Sequence, residues 1–244
     1  IPQLFYYNAF LMLSNGLEAK VGTLGSKYEF FHEWKRLKES DAGSVELETM
    51  LRGICEKKTF LDLLENFILY DHSGGRTTKI LARNHQYLGV NEAVSAYENR
   101  KLKDGRLGVF WHTQGSGKSY SMVFLAQKIR RKFAGSPTIV VLTDRDELNR
   151  QISDTFENCG LLGKTKASQF IASSGADLVK KLQGNPSFVF TLIQKFNLPK
   201  EPPIYPDHDI LILSDEAHRS QYGIFADNMM HLLPTAARIG FTGT

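Results

Sequence analysis

Five short apolar runs, separated by segments of helical character, constrain the fold more than any other feature of this sequence. The runs are LGVFWH (107–112), TIVVLT (138–143), SFVFTLI (187–193), DILILSD (209–215) and ARIGFTG (237–243). Helices are predicted over residues 118–133, 145–158, 175–183 and 222–233. Because strands without polar alternation are buried on both faces, this order predicts an α/β fold with a parallel sheet covered by helices on both faces. The loops that follow the five strands should then share one edge of the sheet, where such folds bind ligands.

The first 75 residues have a different character. The aromatic run 4–13 is followed by Ser14-Asn15-Gly16 and a second β-prone run, a pattern that predicts a β-hairpin. Residues 39–44, ESDAGS, are typical of a linker. The other predicted elements are helices over residues 45–55, 59–69 and 84–100.

The composition is that of an ordinary globular protein, with 42% hydrophobic and 23% charged residues, which excludes a disordered tail and a collagen-like fibre. The two cysteines, Cys55 and Cys159, form no CxxC pair, so we expect a reducing, cytoplasmic location. No apolar run approaches the roughly 20 residues of a membrane span. The net charge of +4 is compatible with a polyanionic partner without requiring one. Because the chain begins without Met and ends at FTGT, we expect it to be part of a longer protein.

The loop after the first of these strands reads HTQGSGKS (112–119) and opens a helix. Glycines let such a loop curl so that backbone N–H groups cradle phosphates, and the helix N-terminus adds partial positive charge. In this pattern Lys118 reaches the β- and γ-phosphates and the Ser119 hydroxyl ligates Mg²⁺. His112 stands where the usual motif has Gly, and the alternative is a flexible turn before an ordinary helix. The predicted cradle consists of Thr113, Gln114, Gly115, Ser116 and Gly117.

A second chemical motif, DEAH, ends the fourth strand of the series. In enzymes with a phosphate-binding loop, a strand-end carboxylate such as Asp215 holds Mg²⁺. The neighbouring Glu216 can act as general base on the attacking water, and His218 could sense the nucleotide state. The alternative is a solvated strand end, which is a common place for Asp and Glu.

These motifs together resemble a known superfamily. GSGKS, DEAH and the final TGT resemble motifs I, II and III of superfamily 2 helicases and translocases. ARNHQ (82–86), LTDRDELNRQ (142–151) and TLIQKF (191–196) are similar to further motifs of those enzymes. The fuller wording FWHTQGSGKS, VVLTDRDELNRQ and DEAHRSQYG resembles the restriction (R) subunit of type I restriction-modification enzymes, and PQLFYYNAFLMLSNGLEAKVGTL resembles the end of that subunit's nuclease domain.

The resemblance implies an ATP- and Mg²⁺-dependent motor that pulls double-stranded DNA past methyltransferase and specificity subunits and then cleaves it. By the same resemblance Gln86 contacts adenine, or else is a helix-surface residue. Thr242 and Thr244 couple hydrolysis to movement. Arg145 and Gln194 contact the DNA backbone, or else serve as helix-end and strand-end polar groups.

The resemblance also implies a domain arrangement. Residues 1–40 are expected to be the C-terminal part of a nuclease-like domain, residues 41–75 a helical linker, and residues 76–244 the first RecA-like lobe of the motor. A second lobe with its arginines is expected after Thr244, and the nuclease carboxylates before Ile1. Glu18-Ala19-Lys20 matches a nuclease Glu-x-Lys pair by spacing, but no Asp precedes it, so it is interpreted as a chance match.

Two alternative functions stay open from the sequence. One is a module that binds nucleotide and docks partners without hydrolysis, although the presence of Glu216 favours an enzyme. The other is a superfamily 2 RNA helicase, which the DEAH tetrapeptide alone would permit. The nuclease-like opening and WHTQGSGKS argue against it.

Overall fold

The computed structural model describes residues 2–111, 113, 115–198, 201–205, 208–215 and 222–243. The chain divides into two compact units, Ile1–Asn91 and Glu92–Thr244. The domain boundaries expected after residues 40 and 75 were inferred from the family resemblance. The division into compact units does not test them, so they stay a prediction. Four of the predicted site residues lie outside the described part of the chain: Gln114, Glu216, His218 and Thr244.

The second unit contains a five-stranded sheet in which every neighbouring pair is parallel. Its strands are β5 (Arg106–Trp111), β6 (Thr138–Thr143), β7 (Phe188–Leu192), β8 (Ile210–Asp215) and β9 (Ala237–Thr242), in the order β5-β9-β8-β6-β7. Its helices are α4 (Lys118–Lys132), α5 (Asp146–Asn158), α6 (Gly175–Gln183) and α7 (Tyr222–Leu232). The predicted α/β fold class is therefore confirmed, and the predicted strands and helices agree with the observed ones to within one or two residues at each end.

The burial of β6, β7 and β8 explains why these three strands are continuous apolar runs in the sequence. All six residues of β6 are buried, since β6 lies between β7 and β8 and both of its faces are covered. On one face Phe156 of α5 packs edge-on against Phe188 and Phe190 of β7. On the other face Val189 of β7 belongs to a cluster with residues of α6 and α7, including Leu178. Each fully buried side chain of this kind contributes about 1.5–3 kcal/mol to the stability of the fold. The sheet and the helices on its two faces therefore supply the hydrophobic core of this unit.

Helix α4 is tied to the sheet near its C-terminal end by Arg130. The guanidinium donates hydrogen bonds to the carbonyl of Pro137 at 3.2 Å and to the hydroxyl of Ser187 at 3.1 Å. It also lies 5.2 Å from the ring centroid of Phe188. Burial lowers the pKa of Arg130, although an arginine stays charged at neutral pH. The helix that begins at Lys118 is therefore anchored at its opposite end.

The first unit is built from two hairpins and three helices. Strands β1 (Leu11–Ser14) and β2 (Ala19–Gly22) pair antiparallel, and β3 (Ile68–Asp71) pairs antiparallel with β4 (Thr78–Leu81). Helices α1 (Leu47–Cys55), α2 (Lys57–Asn66) and α3 (Asn84–Glu98) complete the elements, and the division between the units falls inside α3. No helix in the described part of the chain is long and apolar enough to span a membrane.

The hairpin expected at Ser14-Asn15-Gly16 is confirmed. The side-chain oxygen of Asn15 accepts hydrogen bonds from the N–H groups of Leu17 and Glu18, and Gly16 has a φ of +95°. The start of the first strand was predicted wrongly, because residues Pro2–Phe5 form a 3₁₀ turn and the strand begins only at Leu11. Aromatic residues favour strands, but here no partner strand pairs with Pro2–Phe5 among the described residues.

A second correction concerns the end of α2. The helix predicted over 59–69 ends at Asn66, and Ile68–Asp71 is a strand that pairs with Thr78–Leu81. A short apolar run such as FIL fits either element by periodicity, and only the partner strand decides between them. The β3–β4 hairpin was missed for the same reason.

Candidate nucleotide-binding site at the sheet edge

The strand register places the predicted motifs at one edge of the sheet. Strand β9 lies between β5 and β8, with Thr242 opposite Trp111 of β5 and Phe241 opposite Asp215 of β8. The loop that follows β5 therefore starts beside the end of β9, and Asp215 ends β8 on its other side. The expectation that these strand ends share one edge is confirmed for the described residues.

Two glycines between β5 and α4 have backbone angles that suit a phosphate cradle. Gly115 and Gly117 have φ values of +78° and +90°, in the region that side chains with a Cβ rarely adopt. The Ser116 hydroxyl and its N–H both reach the carbonyl of Thr113, at 2.6 and 3.1 Å, and this closes the loop on itself. Since Gly117 precedes α4 directly, the loop delivers its backbone to a helix N-terminus, which attracts anions.

Lys118 and Asp215 form an ion pair at this edge. The ammonium nitrogen lies 2.8 Å from a carboxylate oxygen of Asp215, and the Asp215 side chain is only 4% exposed. The Lys118 side chain is 22% exposed, so the lysine is the partner that faces solvent. The lysine ammonium can move to an incoming phosphate, and the aspartate carboxylate can then hold a cation. This pair of opposite charges suits the binding of a metal–nucleotide complex.

Two further predicted residues lie beside this pair in the sequence or in the sheet. Ser119 is in the first turn of α4 and is half-buried. Thr242 ends β9 and is 6% exposed. The structure thus brings Lys118, Asp215 and the ends of β5 and β9 together.

Gln86 lies in the first unit, in the first turn of α3. Its side-chain oxygen accepts a hydrogen bond at 2.9 Å from the N–H of Arg83, just before the helix. A glutamine that reaches back in this way stabilises the start of a helix, as in a capping box. Gln86 is only 3% exposed, so the alternative interpretation as a helix-surface residue is wrong. Its contact with adenine stays a prediction.

The two predicted DNA-contacting residues follow neighbouring strands. Arg145 comes just after β6 and Gln194 just after β7, and these strands pair with Thr143 opposite Leu192. Gln194 donates a hydrogen bond from its side-chain amide to the backbone carbonyl of Asp144 at 3.0 Å. The Arg145 side chain is 62% exposed, and its Nε lies 3.6 Å from the carboxylate of Asp144.

Sequence reasoning missed one residue of this edge, Asp144, and one contact, that of Ser116 with Thr113. Asp144 links the loops after β6 and β7 through its carbonyl, and its position directly after an apolar strand was the available signal. The role of Ser116 in closing the glycine loop depends on a local contact with Thr113 that no spacing rule predicts.

The fold and the site together define a class. ATPase domains with a phosphate-binding loop typically combine a parallel α/β sheet, a glycine loop, a lysine at a helix N-terminus and a strand-end aspartate beside that lysine. The model of the SWI2/SNF2 ATPase family matches residues 85–244, more than half of the chain, and the chain belongs to this family.

Proteins of similar sequence are named as subunits of one class of enzyme within this family. The chain is 38% identical over 272 residues to the type I restriction enzyme HindI endonuclease subunit of Haemophilus influenzae, covering 100% of this chain and 26% of that protein. It is 25% identical over 252 residues to the type I restriction enzyme SsaAORF53P endonuclease subunit of Staphylococcus saprophyticus, covering 99% of this chain and 25% of that protein. The predicted resemblance to the R subunit is confirmed. The chain spans about a quarter of the length of these relatives.

Solved structures support the fold alone. The UvsW helicase from bacteriophage T4 superposes with a TM-score of 0.52 at 19% sequence identity, over 78% of this chain and 60% of that one. The α/β unit described above is therefore a helicase-like RecA fold.

Proposed function

We propose that this chain carries the first motor lobe of an ATP-dependent DNA translocase, within the restriction subunit of a type I restriction-modification complex. The observation that carries the proposal is the ion pair of Lys118 with Asp215, 2.8 Å apart, at the N-terminus of the helix that follows the glycine loop. The names of the relatives, all endonuclease subunits of type I restriction enzymes, favour this type of motor over an RNA helicase.

Each residue at the edge has a proposed task in ATP hydrolysis. The loop from Thr113 to Gly117, with Gln114 and Ser116, cradles the phosphates, and Lys118 neutralises the charge on the β- and γ-phosphates. Ser119 and Asp215 offer the oxygen ligands that Mg²⁺ prefers. When bound, Mg²⁺ neutralises charge that develops on the transferred phosphoryl group. Glu216 accepts a proton from the attacking water.

The remaining residues are proposed to connect this chemistry to nucleotide recognition and to DNA. Gln86 reads adenine. His218, Thr242 and Thr244 couple hydrolysis to movement. Arg145 and Gln194 form the edge that faces the phosphate backbone of double-stranded DNA, where contacts position the duplex without reading its sequence.

The wider protein is proposed from the same relatives. A second lobe supplies arginines to the γ-phosphate, and methyltransferase and specificity subunits hold the recognition site. Residues 1–40 belong to the nuclease domain and 41–75 to a helical linker, in a cytoplasmic complex. The Glu18 carboxylate lies exposed at the hairpin turn, in keeping with its interpretation as a chance match to the nuclease motif.

The proposal is tested by Glu216→Gln in the intact protein. We expect this variant to bind Mg-ATP with nearly unchanged affinity and to lose about 10²–10⁴-fold in turnover, because the amide keeps the shape but cannot take a proton. Binding is measured by calorimetry and turnover by phosphate release. Glu48→Gln, on the exposed face of α1, is the matched control and should change neither quantity.

The nucleic-acid arm of the experiment distinguishes the alternatives. Phosphate release is measured with duplex DNA, with single-stranded RNA and without nucleic acid. If duplex DNA stimulates ATP hydrolysis and RNA does not, the result supports the translocase. Stimulation by RNA would point to an RNA helicase, and normal ATP binding without turnover under every condition would point to a non-hydrolysing module.

A further inference from the structure

The loops after β6 and β7 are joined by one side chain. Gln194 follows β7, and its amide nitrogen lies 3.0 Å from the carbonyl oxygen of Asp144, which follows β6. The two strands are neighbours with Thr143 opposite Leu192, so this bond links the loops at the point where both leave the sheet. It acts directly on the peptide group that connects Asp144 to Arg145.

The backbone of Arg145 is held on its other side as well. Its carbonyl accepts a hydrogen bond from the N–H of Asn149 at 3.0 Å, as α5 begins, and one from the Thr143 hydroxyl at 3.4 Å. With Gln194 on the preceding carbonyl, both peptide groups that flank Arg145 are fixed. Removing Gln194 would leave the peptide before Arg145 without this restraint.

The side chain of Arg145 is largely exposed to solvent, as a contact with DNA would require. Its Nε lies 3.6 Å from the carboxylate of Asp144, which is 11% exposed, whereas the arginine itself is 62% exposed. Lys195, the next cation along the β7 loop, donates a hydrogen bond to the carbonyl of Ala172 and so helps to hold the fold. Arg145 therefore presents a charge to solvent from a fixed backbone, while Lys195 has a structural contact.

We propose that Gln194 is a positioning residue for Arg145: by holding the Asp144–Arg145 peptide it places the guanidinium for a phosphodiester of duplex DNA. This inference rests on the proposed function, and it changes the role expected for Gln194 from a direct DNA contact to an indirect one. The physical reason is that an arginine side chain loses much rotational freedom when it binds, and a restrained backbone lowers that cost.

The test is a double-mutant cycle on DNA binding by the intact protein. Fluorescence anisotropy measures the affinity for a labelled 30-base-pair duplex over a series of salt concentrations. The variants are Arg145→Ala, Gln194→Ala and Gln194→Met, together with the double variants that combine Arg145→Ala with each Gln194 substitution. Methionine keeps the length of the side chain without adding charge, and it cannot donate a hydrogen bond to the carbonyl. Gln169→Ala, at another exposed glutamine, is the matched control, and thermal unfolding checks that each variant is folded.

We expect Arg145→Ala to weaken DNA binding about tenfold and to lower the salt dependence by about one counterion. Gln194→Ala and Gln194→Met should each weaken it about threefold, and neither should weaken it further once Arg145 is alanine. Defects that multiply in a double variant would overturn the positioning role, because Gln194 would then act independently of Arg145. An unchanged affinity in Arg145→Ala would overturn both this inference and the proposed DNA-facing edge.

Discussion

Replacing Lys118 by alanine should destabilise the folded chain even without nucleotide, because Asp215 is nearly inaccessible to water. Removing one partner of a fully buried ion pair costs about 3–5 kcal/mol. Here the Asp215 side chain is 4% exposed and the Lys118 side chain 22%, so the pair is not fully buried. We therefore expect Lys118→Ala to lower the free energy of unfolding by about 2–3 kcal/mol, which is somewhat less than for a fully buried pair.

The two partners should not respond equally. Asp215→Asn leaves an ammonium that can extend its flexible stem into water, so a smaller loss of about 1 kcal/mol is expected. In the double variant Lys118→Ala/Asp215→Asn the carboxylate charge is gone, and stability should exceed that of Lys118→Ala alone. The difference between the sum of the single losses and the double loss measures the interaction.

The assay is urea unfolding followed by circular dichroism at pH 7, with and without Mg-ATP. Lys132→Ala is the control, since Lys132 lies at the other end of α4 in an exposed pair with Glu98 and should cost no more than about 1 kcal/mol. Mg-ATP should stabilise the unsubstituted chain and not Lys118→Ala. If Lys118→Ala were no less stable than Lys132→Ala, the ion pair would contribute nothing and the reasoning would be refuted.

Three other predictions concern the first unit and the surface of the second. Burial lowers the pKa of His32 to about 4, so the unfolded chain takes up a proton as the pH falls from about 6.5 to 4 while the folded chain does not. The contribution of His32 should lower stability by up to about 3 kcal/mol over that window; His32→Gln should make the slope clearly shallower, while His72→Gln should leave it unchanged. A Cβ at Gly53 would lie 2.2 Å from Nε1 of Trp34, so Gly53→Ala should cost about 1–3 kcal/mol in urea unfolding despite the better helix propensity of alanine. Trp111 is 61% exposed and Trp34 only 2%, so iodide should quench the fluorescence of Trp34→Phe strongly and that of Trp111→Phe weakly; equal quenching would contradict the burial of Trp34.

The second unit could be predicted closely from the sequence, and the reason is physical. A strand that is buried on both faces is apolar at nearly every position, as in Thr138–Thr143, where four aliphatic residues stand between two threonines. Such a short run, rich in β-branched residues and bounded by loops, predicts a strand and not a helix. The glycine loop could be predicted as well, because Gly115 and Gly117 meet a local backbone requirement that depends on no distant residue.

The first unit was predicted less well, since its elements depend on partners. Pro2–Phe5 and Ile68–Asp71 both contain aliphatic and aromatic side chains, yet the first is a turn and the second a strand. The difference is that Ile68–Asp71 finds Thr78–Leu81 across a hairpin. β-propensity reports how well a side chain fits a half-buried pleated surface, and it cannot say whether such a surface is present.

The chemistry of the site divides in the same way. The residue types were determined by the sequence alone: a lysine after a glycine loop, an aspartate at a strand end, an arginine and a glutamine after two further strands. Their pairing was decided by the order β5-β9-β8-β6-β7, which is not the order of the chain. That order brings Lys118 to Asp215 and Gln194 to the carbonyl of Asp144, across long sequence separations. Strand order depends on how helices pack over the finished sheet, so these contacts exist only in the tertiary structure.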